Sequence, residues 1–344
     1  MKIYKDSKVF VLCPAGAVTG GAELLHQLVD SLNNLNIESY IVYYGDKEPV
    51  IPLEYDKYNI KIAQNIEDEK KNVIVLYEVV LHFYKKYSHI QIVFWWLSVD
   101  HFYMFNTRVL NIFDIMRWNI SFGIVVLLKR LYHLVKGKNY FKNCISIKGL
   151  KNVKAINAYQ SEYAQFFLNK NRFKQTIALK DFINTEHYQP VDLCKRENIV
   201  LYNPKKGLKY TKKIINKIPN VRCIPVEKMT RNELIELMRK SKCYIDFGYH
   251  PGKDRLPREA VLNGCCVITG LDGSAKYYED VPIESHYKYP ANNSSIDKIV
   301  DQIKYTLDNY DAAYCDFTFY KAQVLREQAE FYSQVSTLFK SDDL

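Results

Sequence analysis

At 344 residues the chain has room for two domains, and 48% hydrophobic with 25% charged residues excludes a disordered or fibrous protein. A net charge of +10 points to an anionic partner, whether nucleotide, nucleic acid or acidic membrane surface. Eight cysteines with no C-x-x-C pair, several inside apolar runs, exclude a disulfide framework or zinc site and read as buried free thiols.

The opening segment MKIYKDSKVFVLCP has too few apolar residues before its proline for a signal-peptide core, which predicts a cytoplasmic protein. Val9 to Leu12 reads as a buried strand, followed by the loop CPAGAVTGG and a helix from Ala22 to Leu35 with leucines at helical spacing. Further strands are predicted at Ser39 to Tyr44, Val73 to Tyr77 and Ile90 to Leu97. Residues 108 to 136 read as helical and unusually apolar, and lead into the basic stretch KGKNYFKN. The most apolar run there, Phe122 to Leu128, is far shorter than the ~20 residues that span a bilayer.

A boundary is predicted near Lys180 to Gln189, in a polar segment with Pro190 just beyond it. A second alternation follows: strand Ile199 to Tyr202, helix Tyr210 to Lys217, strand Val221 to Pro225, helix Arg231 to Lys240, strand Cys243 to Phe247, helix Pro257 to Asn263 and strand Cys265 to Thr269. Asp316 to Phe339 reads as one or two further helices. Continuous apolar strands alternating with helices predict an α/β protein with parallel sheets covered on both faces.

Four constellations stand out. Gly20 and Gly21 lie between a strand and a helix start, where backbone N–H groups can approach a phosphate; a plain tight turn is the alternative. Lys205 and Lys206, in NPKKG, follow a strand end where open α/β sheets bind ligands, and an ammonium there can neutralise a diphosphate. The stretch PGKDRLPREAVLNGCCVITG packs Lys253, Asp254, Arg255, Arg258 and Glu259 around a helix start, as a ligand loop or as an ion-pair knot capping the helix. Asp100 and His101 end the strand IQIVFWWL, as a candidate base and hydroxyl-orienting group or as turn and capping material.

In that order these motifs resemble the GT-B glycosyltransferases, specifically the retaining nucleotide-sugar transferases of bacterial polysaccharide synthesis. TGGAELLHQLVDSLNNL is similar to that family's Gly-Gly loop and first helix, LKDFINTEHYQP to its interdomain linker, and YNPKKG to the start of its donor-binding domain. DFGYHPGKDRLPREAVLNGCCVITG is similar to its Glu-x7-Glu signature, which ends in a strand and Thr-Gly, with Glu259 as the second glutamate. The first falls on Pro251, so its sugar-contacting role is vacant or has moved to Asp254, and Cys266 replaces the usual proline.

The resemblance implies two Rossmann-like domains facing a cleft, with a C-terminal helix packing back on the N-terminal one. Residues 1–183 would bind the acceptor, 184–318 the nucleotide-sugar donor, and 319–344 form a helical tail. It implies transfer of a sugar from a nucleotide-diphosphate donor to a glycan or lipid-linked glycan in capsule, O-antigen or exopolysaccharide synthesis, with no cofactor and no metal. Asp100, His101 and Asp254 are then the catalytic candidates. Gly20, Gly21, Lys205, Lys206, Lys253, Arg255, Arg258 and Glu259 are the donor-binding ones. Residues 108–142, with Lys129, Arg130, Lys136, Lys138 and Lys142, read as a possible contact with an anionic membrane on the inner face of the plasma membrane, or as a buried helix. Two other readings compete: a nucleotide-sugar epimerase of the same fold, and a basic nucleic-acid-binding protein, against which the aromatics count because they sit inside apolar strands.

Overall fold

The computed structural model of the protein describes residues 1–138 and 144–340. The chain divides into two compact units: one is Met1–Gln160, Ala164–Lys180 and the chain from Phe331, the other Ser161–Tyr163 and Asp181–Glu330. Each is built on a wholly parallel sheet, and together they form two Rossmann-like domains.

The first unit holds strands β1 (Val9–Pro14), β2 (Ser39–Tyr44), β3 (Val73–Tyr77), β4 (Gln91–Trp96), β5 (Ala155–Tyr159) and β6 (Thr176–Ala178), in the order β2-β1-β3-β4-β5-β6. Helix α1 (Gly20–Asn34) crosses from β1 to β2. Between β4 and β6 come α2 (Val99–Phe105), α3 (Ile112–Trp118), α4 (Ile120–Val135), α5 (Ile147–Lys151) and α6 (Glu162–Lys170). Strands covered on both faces read as unbroken apolar runs, so β1, β3 and β4 are plain in the sequence. By contrast β5 is not, because AINAY carries Asn157 at its centre. Its buried amide is satisfied by the Trp96 indole, which donates to Oδ1 at 3.1 Å, and by the Lys174 carbonyl at 3.0 Å.

The segment expected as one helix over 108 to 136 is two. Asn119 breaks it with an extended backbone, and its side chain accepts the Phe122 N–H at 3.0 Å to start α4. Arg130, expected among the basic groups of a surface, is instead buried. Its guanidinium clamps α4 to the preceding loop by donating to the Thr107 and Leu110 carbonyls. Lys142 lies outside the described residues.

The second unit holds β7 (Glu197–Tyr202), α7 (Leu208–Ile215), β8 (Arg222–Pro225), α8 (Arg231–Lys240), β9 (Ser241–Asp246), α9 (Arg255–Leu262), β10 (Cys266–Thr269), α10 (Ile296–Asp308), α11 (Tyr310–Cys315) and the first part of α12 (Thr318–Leu338). Its strands run β10-β9-β7-β8. Val200, Leu201, Tyr244, Ile245, Val267 and Ile268 fill the sheet, and Ile299, Ile303 and Val324 cover it. All eight cysteines are free, but only Cys13, Cys243, Cys265 and Cys266 are buried; Cys194 and Cys315 are exposed, against the expectation from their sequence surroundings.

Sheet order picks out one position in each unit. Where successive strands leave to opposite sides, the loops diverge and open a crevice at the carboxyl ends. In the first sheet this lies between β1 and β3, and in the second between β7 and β9. At the first switch point sits Glu78, just after β3, a residue that nothing in the sequence marks. It is buried, and its carboxylate accepts the Leu97 N–H at 2.9 Å. Burial pushes the Glu78 carboxyl up to about 8, against the pull of the backbone amides it accepts.

A carboxyl whose pKa is raised on folding contributes stability that is complete below its unfolded value and is lost as pH rises through the folded one. Between about pH 5 and pH 8.5 the urea midpoint of the wild-type protein is therefore expected to fall, by an amount equivalent to at most about 5 kcal/mol from this group. Glu78→Gln should flatten that slope; an unchanged slope would show that Glu78 titrates normally.

Candidate functional site

The second switch point collects most of the chemistry. After β7 the chain runs through Asn203-Pro204-Lys205-Lys206-Gly207 into α7, and after β9 through Gly248 to Asp254 into α9. Gly207 caps α7 in the left-handed conformation, φ 64°, and a Cβ there would overlap the Phe247 carbonyl. Only glycine lets these two loops come so close. Gly273, φ 62°, does the same for the loop after β10, whose Ser274 donates its N–H to the His250 carbonyl at 2.8 Å and its hydroxyl to the Gly252 carbonyl at 2.6 Å.

Lys206 reaches across this junction. Its ammonium donates to Asp254 Oδ2 at 2.7 Å and lies 5.3 Å from the centre of the Tyr249 ring, which is partly exposed. Asp254 precedes α9 but makes no capping hydrogen bond, because its carboxylate is turned to Lys206. Helix α7 has no side-chain cap either, since glycine holds that position. Two helix N-termini without side-chain caps therefore converge on one lysine, with Lys205 exposed beside it. Partial positive charge on both termini and a full charge on each lysine favour an anion there.

Beneath this pair lie two residues that the sequence reading passed over. Asp246, at the end of β9, is buried and fully engaged: Tyr244 Oη (2.8 Å) and Asn203 Nδ2 (3.2 Å) donate to Oδ2, and the Gly248 N–H (3.0 Å) to Oδ1. His250 is buried between the two carboxylates, with Nε2 3.8 Å from Asp246 Oδ1 and Nδ1 3.5 Å from Asp254 Oδ2. Asp246, His250 and Asp254 are the one trio among the described residues with spacing that suits a metal ion. Both carboxylates are already committed to protein donors, so a cation would have to displace the Lys206 ammonium from Asp254.

Arg258 and Lys253 take a different part from the expected one. Arg258 is completely buried, and its guanidinium donates to Asp181 Oδ2 (2.7 Å), Glu327 Oε2 (2.8 Å) and the carbonyls of Lys253 (3.0 Å) and Asp254 (3.2 Å). The Lys253 ammonium donates to Glu327 Oε1 at 2.6 Å. Burial pushes the Asp181 carboxyl up, but Arg258 outweighs it and holds the group below the usual carboxylate range. Such charges have no face left for a ligand; they fix the loop that carries Asp254. Of the two readings of this stretch, the ion-pair knot describes Arg258 and Lys253.

Glu259 and Arg255 stay nearer the surface. Glu259 Oε1 lies 3.8 Å from Arg255 Nε, one turn earlier on α9, and 3.8 Å from His187 Nε2. His187 is buried, which pushes its imidazole below the ordinary range, while Asn263 lies 2.8 Å from its Nδ1. In the first unit, Gly20 and Gly21 open α1, but this terminus already has a cap in Thr19, whose hydroxyl accepts the Ala22 N–H at 3.2 Å, and an acid in its first turn, Glu23. Asp100 and His101 do not extend β4; they form the first turn of α2, capped by Ser98. Asp100 is buried and accepts the Trp118 indole N–H at 3.2 Å, so it does not project as a base. His101 packs edge-on to Phe105.

A scan against protein-family models finds no match, and a search of curated proteins finds none. Solved structures do match over nearly the whole chain. HepE (Alr3699) from Anabaena, in complex with UDP-glucose, superposes with a TM-score of 0.58 at 11% identity, covering 96% of this chain and 98% of that one. WaaG, a glycosyltransferase involved in lipopolysaccharide biosynthesis, gives 0.54 at 12%, covering 96% and 98%. An E. coli trehalose-6-phosphate protein bound with UDP-2-fluoro glucose gives 0.57 at 9%, covering 96% and 99%. The protein therefore has the GT-B fold, built from two Rossmann-like domains.

The buried ion pairs make a direct prediction. Glu327→Ala takes the carboxylate from the buried Lys253 ammonium and leaves Arg258 with Asp181 alone, and is expected to cost about 3–5 kcal/mol, read as a lowered urea midpoint. An unchanged midpoint would mean that these cations find water instead.

Proposed function

We propose that the protein is a glycosyltransferase that moves a sugar from a nucleotide-diphosphate sugar to a glycan or lipid-linked glycan in cell-surface polysaccharide synthesis, with retention of configuration and without a metal. The observation that carries this reading is the convergence of two uncapped helix N-termini, α7 and α9, on Lys206 at the switch point of the second sheet. The GT-B fold supports it, as do the UDP-sugars bound to HepE and to the E. coli protein of the same fold.

In this reaction the bond between the anomeric carbon and the phosphate oxygen breaks, the acceptor oxygen forms the new bond and gives its proton to the departing diphosphate, and the leaving oxygen carries added negative charge until that proton arrives. Stabilising that charge is the main task. Lys206 serves it by exchanging Asp254 for the diphosphate, with Lys205, Arg255 and the amides at the start of α7 adding positive potential. Asp254, released from Lys206, is the carboxylate placed to meet the donor sugar. Glu259, held by Arg255 and beside His187, accepts the ribose hydroxyls. The unit of Met1–Gln160, Ala164–Lys180 and the chain from Phe331 then serves the acceptor, and that of Ser161–Tyr163 and Asp181–Glu330 the donor.

A thermal-shift series with UDP, GDP, CMP, ADP and dTDP tests the donor site. One nucleotide, expected to be UDP, should raise the midpoint by several degrees, and Lys206→Ala and Glu259→Ala should each abolish that rise. Transfer activity of Lys206→Ala should fall about 10²–10³-fold. No shift with any nucleotide would overturn the proposal.

A further inference from the structure

Helix α4 is apolar on faces that the protein does not cover. Ile120, Ile124, Leu128, Leu131 and Val135 follow one another at helical spacing and are 44–88% exposed, and only Gly123, Val126 and Arg130 of this helix are buried. Phe113 of α3 and Phe105 of α2 are also more than half exposed. A water-facing helix ordinarily presents polar residues on its outer side. The loss is stabilised from below: the buried Arg130 clamp fixes α4 by its polar side and leaves the apolar stripe outward.

The charges around the stripe have one sign. Arg108, Arg117, Lys129, Lys136 and Lys138 are exposed, and no described carboxylate pairs with any of them. From Ile115 to Lys138 the chain contains no Asp or Glu at all. Beside α4 a cavity of about 620 Å³ is lined by Met104, Phe122, Val125 and Tyr132 together with Arg108 and Lys129. An apolar floor with two cations suits the phosphate and upper acyl chain of a phospholipid. A second copy of this chain would set like charges against each other across a symmetric interface. No described helix is long and apolar enough to cross a membrane.

We propose that the α3–α4 face is a docking surface for an anionic phospholipid bilayer, with α4 lying in the interface plane, its apolar stripe entering the headgroup boundary and the flanking cations meeting lipid phosphates. This inference stands apart from the sugar-transfer reading, whose donor-site residues Lys206, Asp254 and Glu259 lie in the other unit.

Sedimentation of the full chain with phosphatidylcholine vesicles, with and without phosphatidylglycerol, tests it. The protein should pellet with the anionic vesicles at low salt, at least about tenfold more than with the neutral ones, and be released by added salt. Two variants on exposed positions separate the contributions: Arg117→Gln with Lys129→Gln and Lys136→Gln, and Ile124→Ser with Leu128→Ser. Each should lower the partition about tenfold or more while circular dichroism stays unchanged. Equal pelleting with both vesicle types, no pelleting of a folded protein, or pelleting untouched by both variants would overturn the proposal. So would a dimer in light scattering that dissociates in the apolar variant, since a second copy would then own the face. The nucleotide-dependent thermal shift, read on the same samples, reports on the donor site independently.

Discussion

Arg258 is the residue on which the second unit's working end depends. One guanidinium, excluded from water, joins Asp181 at the start of the unit, Glu327 on α12 and the backbone of Lys253 and Asp254. A charge buried this way tolerates little movement, because each lost partner leaves an unpaired ion in a low-dielectric setting. The loop between β9 and α9 is thus fixed at its foot, and that is what allows Asp254 to meet Lys206 from the neighbouring loop.

From that constraint the rest of the candidate site follows. Gly207 and Gly273 let three loops approach without side-chain overlap, His250 fills the space between two carboxylates, and Asp246 is spent on holding Tyr244, Asn203 and the Gly248 amide. What remains outward is Lys206 with its exchangeable partner, two helix N-termini and the mostly covered Glu259. The same logic of a buried arginine fixing an element recurs in the first unit, where Arg130 anchors α4. There the consequence is an outward apolar stripe.

Much of the fold was legible because parallel strands buried on both faces must be continuously apolar, and VFVL, VIVL, VFWW and CVIT are. Lys206 stood out for being a cation at a strand end, and Glu259 for its place in a family-like signature. Other parts of the site and of the fold had no local mark. Glu327 is one acid on a helix of mixed polarity, Asp181 sits in a linker, and Asn157 hides a strand by being polar at its centre. Arg258 and Lys253 misled in the opposite sense: two cations around a helix start read as ligand groups until their carboxylates, 69 to 77 residues away along the chain, come into view.

The sequence by itself determined the alternation of strands and helices, the tight glycine turns and the uneven charge of residues 108 to 138, since these depend on neighbours within a few positions. Only the tertiary structure decided which charges are consumed by one another and which are left for a ligand. It alone brought Asp254 to Lys206, buried Arg258 and Arg130, and turned Asp100 inward to Trp118. Burial and pairing are properties of residues that meet in space, and no spacing along the chain encodes whether a charged side chain will find its partner before it finds water.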